Sequence, residues 1–233
     1  MEMIKKIVLG LLLFVASVVY AEDTILIGET EIKLPQVEGF QSIGQSHFMY
    51  DIMLSFVPPT NELLDIKLQN SDIAAEVRGD EPQYNRYIVV QTYRPAKNRA
   101  VTDSEFTQLR NYLDTQYDDM TRAIQSKIDE LSEKGSKAIS DKYSVEMAFK
   151  VSENVPLETF YNEGQRFSAM HLMRTDVNVE GISEVVRTTM GLNVLHVKKK
   201  IIYLYVYEES DSESARDWVK STSTSFSEAI IKQ

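Results

Sequence analysis

The sequence predicts an α+β protein with one mostly antiparallel sheet and helices packed on both of its faces. Residues 201–207 place apolar side chains on both faces of a strand, so other elements must pack against both faces. Apolar positions recur at helical spacing along residues 106–131 and 215–230, which predicts two amphipathic helices as the covers. Short spacings between the strands favour hairpins over parallel crossovers.

The N-terminal part predicts a hairpin, a short helix and a strand. Apolar residues alternate around residues 28–30, as in a β-hairpin: Ile25, Ile27, Ile32 and Leu34. Ser46 is expected to cap a helix that Pro58 ends, because proline cannot continue a helix. The apolar face of that helix consists of Met49, Ile52, Met53 and Phe56. Alternating Leu64, Ile66 and Leu68 predict the next strand.

A loop, a second strand and a long helix follow. Residues 70–85 are predicted to form a loop, and residues 87–93 a strand. Thr102 and Glu105 form a capping box at the start of the long helix. Its apolar stripe continues to residue 131, and Gly135 is expected to close it. A helix of this length exceeds the usual domain helix and is a candidate to kink or split.

The C-terminal part predicts four strands and a final helix. The strands are expected at residues 143–151, 166–177, 185–197 and 201–207. Ser210 and Glu213 are predicted to form the capping box of the last helix, and Trp218 to anchor it in the core.

Composition excludes several classes of function. The chain has 233 residues, no cysteine and a net charge of -10. Zinc–thiolate sites, iron–sulfur clusters and thiol nucleophiles are therefore excluded. The acidic balance argues against nucleic acid as a partner, because nucleic-acid binding requires a basic surface.

The first residues are typical of a secretory signal peptide. Lys5 and Lys6 precede an apolar run, and Ala21 closes a small-residue cleavage pattern. We expect cleavage after Ala21, leaving residues 22–233 as one globular domain in the periplasm or outside the cell. No stable membrane insertion is expected after cleavage. The alternative is a protein anchored in the membrane by an uncleaved N-terminus.

Several segments together resemble a family of secreted bacterial proteins of uncharacterised function. They are the hairpin ending at Pro35, residues 58–64, the hairpin of residues 196–207 and the helix around residues 217–220. Their layout is similar to the α/β/α sandwich of PsbP and Mog1. The resemblance implies a binding or accessory role rather than a fixed chemistry.

Three histidines are the candidates for metal or acid–base chemistry. His171 and His196 lie on predicted strands, and His47 lies near a helix start. A metal site needs three or four converging ligands, so a nearby carboxylate would have to complete it. The competing interpretation is that these are half-buried, hydrogen-bonded side chains. We expect no bound metal and no cofactor.

Two further patterns are candidates for binding. Lys198, Lys199 and Lys200 form a basic cluster at a hairpin tip, where they either hold an anionic group or keep the turn solvated. Tyr203, Tyr205 and Tyr207 share one strand face. Tyrosine combines apolar area with a polar tip, so this row suits a binding surface or a core layer below a helix.

No catalytic motif is found in the sequence, so a non-catalytic role is favoured. The leading hypothesis is an exported protein that binds a protein partner or small ligand in the bacterial envelope. An envelope hydrolase using His171 or His196 with nearby acids is the first alternative. An exported toxin or effector is the second.

Overall fold

The computed structural model describes residues 23–123 and 125–233. The predicted signal peptide lies outside these residues. The strands are β1 (Asp23–Ile27), β2 (Thr30–Leu34), β3 (Phe40–Ser42), β4 (Asn61–Gln69), β5 (Arg86–Tyr93), β6 (Met147–Glu163), β7 (Arg166–Val179), β8 (Ile182–Val197) and β9 (Lys200–Glu208). The α-helices are α1 (Phe48–Ser55), α2 (Asn70–Arg78), α3 (Asp103–Ala123), α4 (Gln125–Tyr143) and α5 (Glu213–Ile231).

The strands form a hairpin and a larger sheet, and every pairing is antiparallel. β1 pairs with β2, and the other seven strands follow the order β3-β4-β5-β9-β8-β7-β6. β9 is therefore the central strand. The predicted α+β class and antiparallel sheet are confirmed.

One face of the large sheet is covered by α5 and the β1–β2 hairpin, and we call it the α5 face. Ile202, Leu204 and Val206 of β9 are fully buried here, in a core that includes Val219 and Phe226 of α5. The hairpin adds its four alternating apolar side chains to the same core. α5 approaches β8 so closely that a Cβ on Gly191 would lie 2.5 Å from the Ser223 Oγ. The N-terminal hairpin was predicted from its alternation and is confirmed.

The opposite face carries Tyr203, Tyr205 and Tyr207, and we call it the tyrosine face. α1 packs over β4 and β5 through a core around Met49, Ile66 and Leu68. α3 packs over β7 and β8 through Phe106 and Leu113. Helices thus cover both faces, as predicted.

The single long helix of the sequence prediction is two helices, α3 and α4. The capping box is confirmed, because the Glu105 amide donates to Thr102 Oγ1 at 3.2 Å and the Thr102 amide to Glu105 Oε2 at 2.7 Å. The prediction that Gly135 closes the helix is wrong. Gly135 lies inside α4, where a Cβ would be 2.6 Å from the Phe56 ring, so it permits close packing rather than termination.

Other local predictions also need correction. Residues 70–85 do not form a loop throughout, because α2 occupies the first nine of them and ends at Gly79 with φ +77°. The cap of α1 is the Nδ1 of His47 rather than Ser46. Ser212, rather than Ser210, caps α5 by accepting a hydrogen bond from the Ala215 amide at 3.2 Å. Trp218 is half-buried and stacks on Phe40 at 6.0 Å between ring centroids.

The outer edge of β6 is capped by side chains of α4. The Phe149 amide donates to Ser136 Oγ at 2.8 Å, and the Met147 amide donates to Ser140 Oγ at 3.1 Å. Gln125 Nε2 donates to the Val151 carbonyl at 2.8 Å. Strand β6 begins at residue 147 and runs to residue 163, later than the predicted residues 143–151. Helix α4 therefore takes the place of a neighbouring strand along the first part of this edge.

Candidate binding surface

The tyrosine row, Tyr203, Tyr205 and Tyr207, lies on the central strand of the sheet. Alternation along β9 places the three rings on one face, with centroid distances of 6.5 Å and 6.2 Å between neighbours. Tyr87 lies opposite Tyr207 on β5 and stacks on it at 4.5 Å. The row is therefore a continuous aromatic strip that also extends sideways across the sheet.

The rings of the row are partly buried. None of the three hydroxyls hydrogen-bonds to another of the described residues, and none belongs to the buried polar atoms without partners. Burial raises the pKa of all three above the ordinary value of tyrosine. The hydroxyls are therefore neutral hydrogen-bond donors and acceptors at physiological pH.

Two packed cores border the row. Tyr205 and Tyr207 pack against the core below α1, whereas Tyr203 packs against the core below α3. The row thus lies at the boundary between the part of the sheet covered by α1 and the part covered by α3. This position combines both interpretations of the sequence, because the rings contribute to core packing and still keep part of their surface exposed.

The three lysines do not form a single basic cluster. Lys198 and Lys199 occupy the hairpin turn with φ values of 48° and 64°, and both are exposed. Lys200 points inward, is buried, and donates to the carbonyls of Lys97 at 2.8 Å and Arg99 at 3.1 Å. Lys198 donates to the carbonyl of Glu31 at 3.0 Å. Two of the three ammonium groups are thereby tied to backbone carbonyls.

His171 and His196 lie on the tyrosine face but far from each other. His171 pairs with Met190 on β8, six residues from His196, so the two lie roughly 20 Å apart at about 3.3 Å per residue. His196 stacks on Phe106 at 5.1 Å, and its Nε2 bonds to the Val101 carbonyl at 2.8 Å. His171 is buried, with its Nδ1 2.8 Å from Asn154 Oδ1. The structure does not bring them into one cleft.

His196 contacts one carboxylate, because its Nδ1 lies 3.4 Å from Oδ1 of the exposed Asp103. A second histidine–carboxylate contact occurs at His47. Its Nε2 lies 2.9 Å from Glu76 Oε2, and Tyr84 hydrogen-bonds to the other oxygen of this carboxylate. His47 Nδ1 accepts the Met49 amide, so the ring is held as the cap of α1. Burial and the bond to Glu76 raise the pKa of Tyr84. The predicted loop over residues 70–85 concealed this contact, since Glu76 is presented by α2.

A buried ionic cluster on the α5 face was also missed. The Lys67 Nζ lies 2.6 Å from Asp23 Oδ2, 3.3 Å from Asp65 Oδ2 and 2.7 Å from Ser42 Oγ. Burial raises the pKa of Asp65. Burial alone would raise that of Asp23 too, but hydrogen bonds from Lys67 and Ser42 outweigh it and hold the pKa below its ordinary value.

The Ser42–Lys67 contact has the distance of a nucleophile and its base, but its hydrogen bonds do not fit that role. Ser42 Oγ lies within 2.9 Å of both carboxylates, and Lys67 donates to Asp23 as well as to Ser42. A general base must accept a proton from the serine hydroxyl. The cluster instead ties the N-terminal strand to the sheet.

Among residues 23–123 and 125–233, no group of three or more side chains is arranged to hold a metal ion. Within the same residues, no helix is long and apolar enough to cross a membrane.

Comparison with known proteins finds only remote structural similarity. No family model matches the chain, and no curated protein matches it. The chain is similar to the Ran-binding protein Mog1p of Saccharomyces cerevisiae, with 10% identity over 87% of this chain and 85% of that chain and a TM-score of 0.32. A Mog1 structure with a single substitution gives 9% identity, coverage of 86% and 84%, and a TM-score of 0.33. Scores this low carry no argument about the fold or the function of this chain.

Proposed function

We propose that this chain is an exported, non-catalytic protein of the bacterial envelope, and that it binds a protein partner or small ligand through the tyrosine row. The observation that carries the proposal is the set of partly buried rings whose hydroxyls have no hydrogen-bond partner among the described residues. Tyrosines of this kind offer both contact area and hydrogen bonds.

The position of the row favours recognition. β9 is hydrogen-bonded on both sides, to β5 and β8, so its backbone is fixed. The rings also stack on one another, which limits their rotation before a partner arrives. Side chains ordered in advance lose less conformational entropy on binding.

Export is supported by the N-terminal sequence and is compatible with the fold. Cleavage after Ala21 would leave Glu22 as the first residue, immediately before β1 starts at Asp23. The strand and its contact between Asp23 and Lys67 would remain intact. Native mass spectrometry of the protein from its host's exported fraction tests this part. An N-terminus at Glu22 is expected, and a mass that includes residues 1–21 would contradict cleavage and favour the membrane-anchored alternative.

The binding part is tested on the same material with three variants. Tyr205→Ala removes the central ring, Tyr205→Phe removes only its hydroxyl, and Tyr112→Ala removes an exposed tyrosine of α3 outside the row. We expect non-covalent mass on the wild-type protein, about tenfold less on Tyr205→Ala, an intermediate amount on Tyr205→Phe and no change for Tyr112→Ala. Circular dichroism checks that each variant folds. A bare wild-type protein, or equal loss in Tyr112→Ala, would contradict the proposed site.

A further inference from the structure

A separate pocket lies on the α5 face of the sheet, between the β6–β7 turn and the C-terminal end of α5. Its volume is about 240 Å³. This is below the roughly 300–1,000 Å³ of pockets for drug-sized ligands, so it suits a small molecule. The lining residues are Tyr161, Glu163, Gln165, Arg166, Glu228, Ile231 and Lys232.

Arg166 is the unusual member of this lining. It is 2% exposed, yet no carboxylate of the described residues lies within the 4.0 Å of an ion pair. Its Nε donates to Ser168 Oγ at 2.9 Å, its Nη2 donates to Thr224 Oγ1 at 3.2 Å, and its Nη1 donates to the Thr224 carbonyl at 3.5 Å. The charge of Glu228 acts on Arg166 only from beyond ion-pair distance. The Tyr161 ring lies 3.9 Å from the guanidinium carbon. A buried charge is normally paired, so a guanidinium held only by neutral groups and a ring leaves room for an anionic partner.

The remaining charges of the pocket have both signs. Glu163 and Glu228 oppose Arg166 and Lys232, so the lining is neutral as a whole. Glu228 and Lys232 approach each other at 3.6 Å, and both are well exposed. A purely anionic ligand would meet two carboxylates, and a purely cationic ligand would meet Arg166. A ligand with one charge of each sign matches the lining best.

We propose that this pocket binds a free α-amino acid, with the carboxylate on Arg166 and the ammonium group at Glu228 and Glu163. Guanidinium and carboxylate form the strongest charge-assisted hydrogen bonds available to side chains. Ile231 and the Tyr161 ring provide apolar surface for the side chain of the ligand, which favours an apolar amino acid such as leucine. The site lies on the α5 face, so it is independent of the tyrosine row.

The ligand class is tested by saturation-transfer NMR and calorimetry on the protein of residues 22–233. The probes are L-leucine, L-glutamine, L-glutamate and L-lysine. L-leucine is expected to bind best. Two analogues each lack one charge: 4-methylpentanoate has no ammonium group, and 3-methylbutylamine has no carboxylate. Each is expected to bind at least tenfold more weakly than L-leucine. Failure of all four amino acids to bind, or equal binding of either analogue, would overturn the proposal.

The location is tested by variants of the lining. Glu228 is exposed, so the Glu228→Gln variant is expected to keep the fold. This substitution is expected to raise the Kd for L-leucine about tenfold. Arg166→Lys keeps the buried charge but loses the planar pair of donors, and it is expected to raise the Kd more. Lys220 lies on the same helix as Glu228 and forms an exposed ion pair with Glu158 of β6. Lys220→Ala breaks this pair and serves as the control, with an unchanged Kd. Binding that is unaffected by Glu228→Gln would overturn the assignment, even if Arg166→Lys failed to fold.

Discussion

Replacing Lys67 by methionine tests the buried ionic cluster that joins the N-terminal strand to the sheet. The substitution keeps an unbranched side chain of similar length but removes the positive charge. The Lys67 side chain is 1% exposed, so water cannot take the place of the lost ammonium group. Asp65, with 9% of its side chain exposed, would then be left as a buried carboxylate without a cation.

The magnitude follows from this burial. Removing one partner of a buried ion pair destabilises a protein by about 3–5 kcal/mol. With a urea m-value of about 2–3 kcal/mol/M, the unfolding midpoint should fall by roughly 1–2.5 M. The double variant, Lys67→Met with Asp65→Asn, should recover about half of the lost free energy of unfolding, because it also removes the unpaired buried carboxylate. Asp23 is 36% exposed and contributes less.

The sign of the pH dependence is also determined. The pKa of Asp23 is below its ordinary value in the folded protein, so its stabilisation is present above the unfolded pKa of about 3.9 and is lost as the pH falls. In Lys67→Met this stabilisation is already absent. Protonation of Asp23 and Asp65 at low pH removes the free-energy cost of leaving their carboxylates without a cation. The difference in stability between wild type and variant should therefore narrow below about pH 4.

Urea unfolding followed by circular dichroism at about pH 7 and at about pH 3 measures both effects, because pH 3 lies below the unfolded pKa of aspartate. Lys97→Met is the matched control, because Lys97 pairs with Glu62 at 2.7 Å while both side chains stay partly exposed. A loss of less than about 1 kcal/mol is expected for this control. The reasoning would be refuted if Lys67→Met lost no more than the control, or if its loss were the same at both pH values.

Three further predictions concern the edge, the helix contact and the tyrosine row. Ser136→Ala should destabilise the protein by about 1–3 kcal/mol and speed hydrogen exchange of the Phe149 amide, which loses its acceptor. Ser223→Ala should leave the free energy of unfolding by urea unchanged or raise it, because it removes a buried hydroxyl without a partner. Gly191→Ala should lower the free energy of unfolding by about 1–3 kcal/mol, because its Cβ would meet Ser223. The double variant should recover part of this loss. Burial holds the pKa of Tyr205 above its ordinary value. The neutral Tyr205 side chain therefore stabilises the folded state below about pH 10, and this stabilisation is lost at higher pH. Tyr205→Phe removes the ionisable group, so alkaline unfolding, followed by circular dichroism, should shift to higher pH.

Each of these experiments has its own control. Ser126→Ala changes an exposed serine of α4 and should leave hydrogen exchange along β6 unchanged. A Gly191→Ala variant as stable as the wild type would contradict the close packing of α5 against β8. Tyr112→Phe lies outside the tyrosine row and should not alter alkaline unfolding; an equal effect there would contradict the role of burial.

The tyrosine row shows how far sequence periodicity reaches. The two-residue spacing of Tyr203, Tyr205 and Tyr207 correctly places them on one face, because alternation is a property of a single strand. The stacking of Tyr87 on Tyr207 depends on which strands pair and in which register. That information comes from contacts between residues far apart in the chain, which periodicity does not contain.

Strand β4 shows why a pattern can mislead even within one element. Leu64, Ile66 and Leu68 alternate and predict one apolar face, but the register shifts between Leu63 and Asp65. The bulge sends Leu64 toward the α5 face, while Ile66 and Leu68 remain on the tyrosine face. Lys67 then lies below the β1–β2 hairpin and is buried. Nothing in the local sequence indicates that the polar side of this strand is covered.

The serine contacts between α4 and β6 have a consequence for the order in which the molecule forms. The chain is made from its N-terminus, so α4 is complete before β6 begins at Met147. The acceptors for the amides of Met147 and Phe149, Ser140 and Ser136, therefore precede the strand in the chain, and this pairing requires no residue of β7. An unpaired strand edge on an incomplete chain readily joins the same strand of a neighbouring molecule. Placing the covering helix upstream of the strand protects the nascent chain while it is most exposed to aggregation.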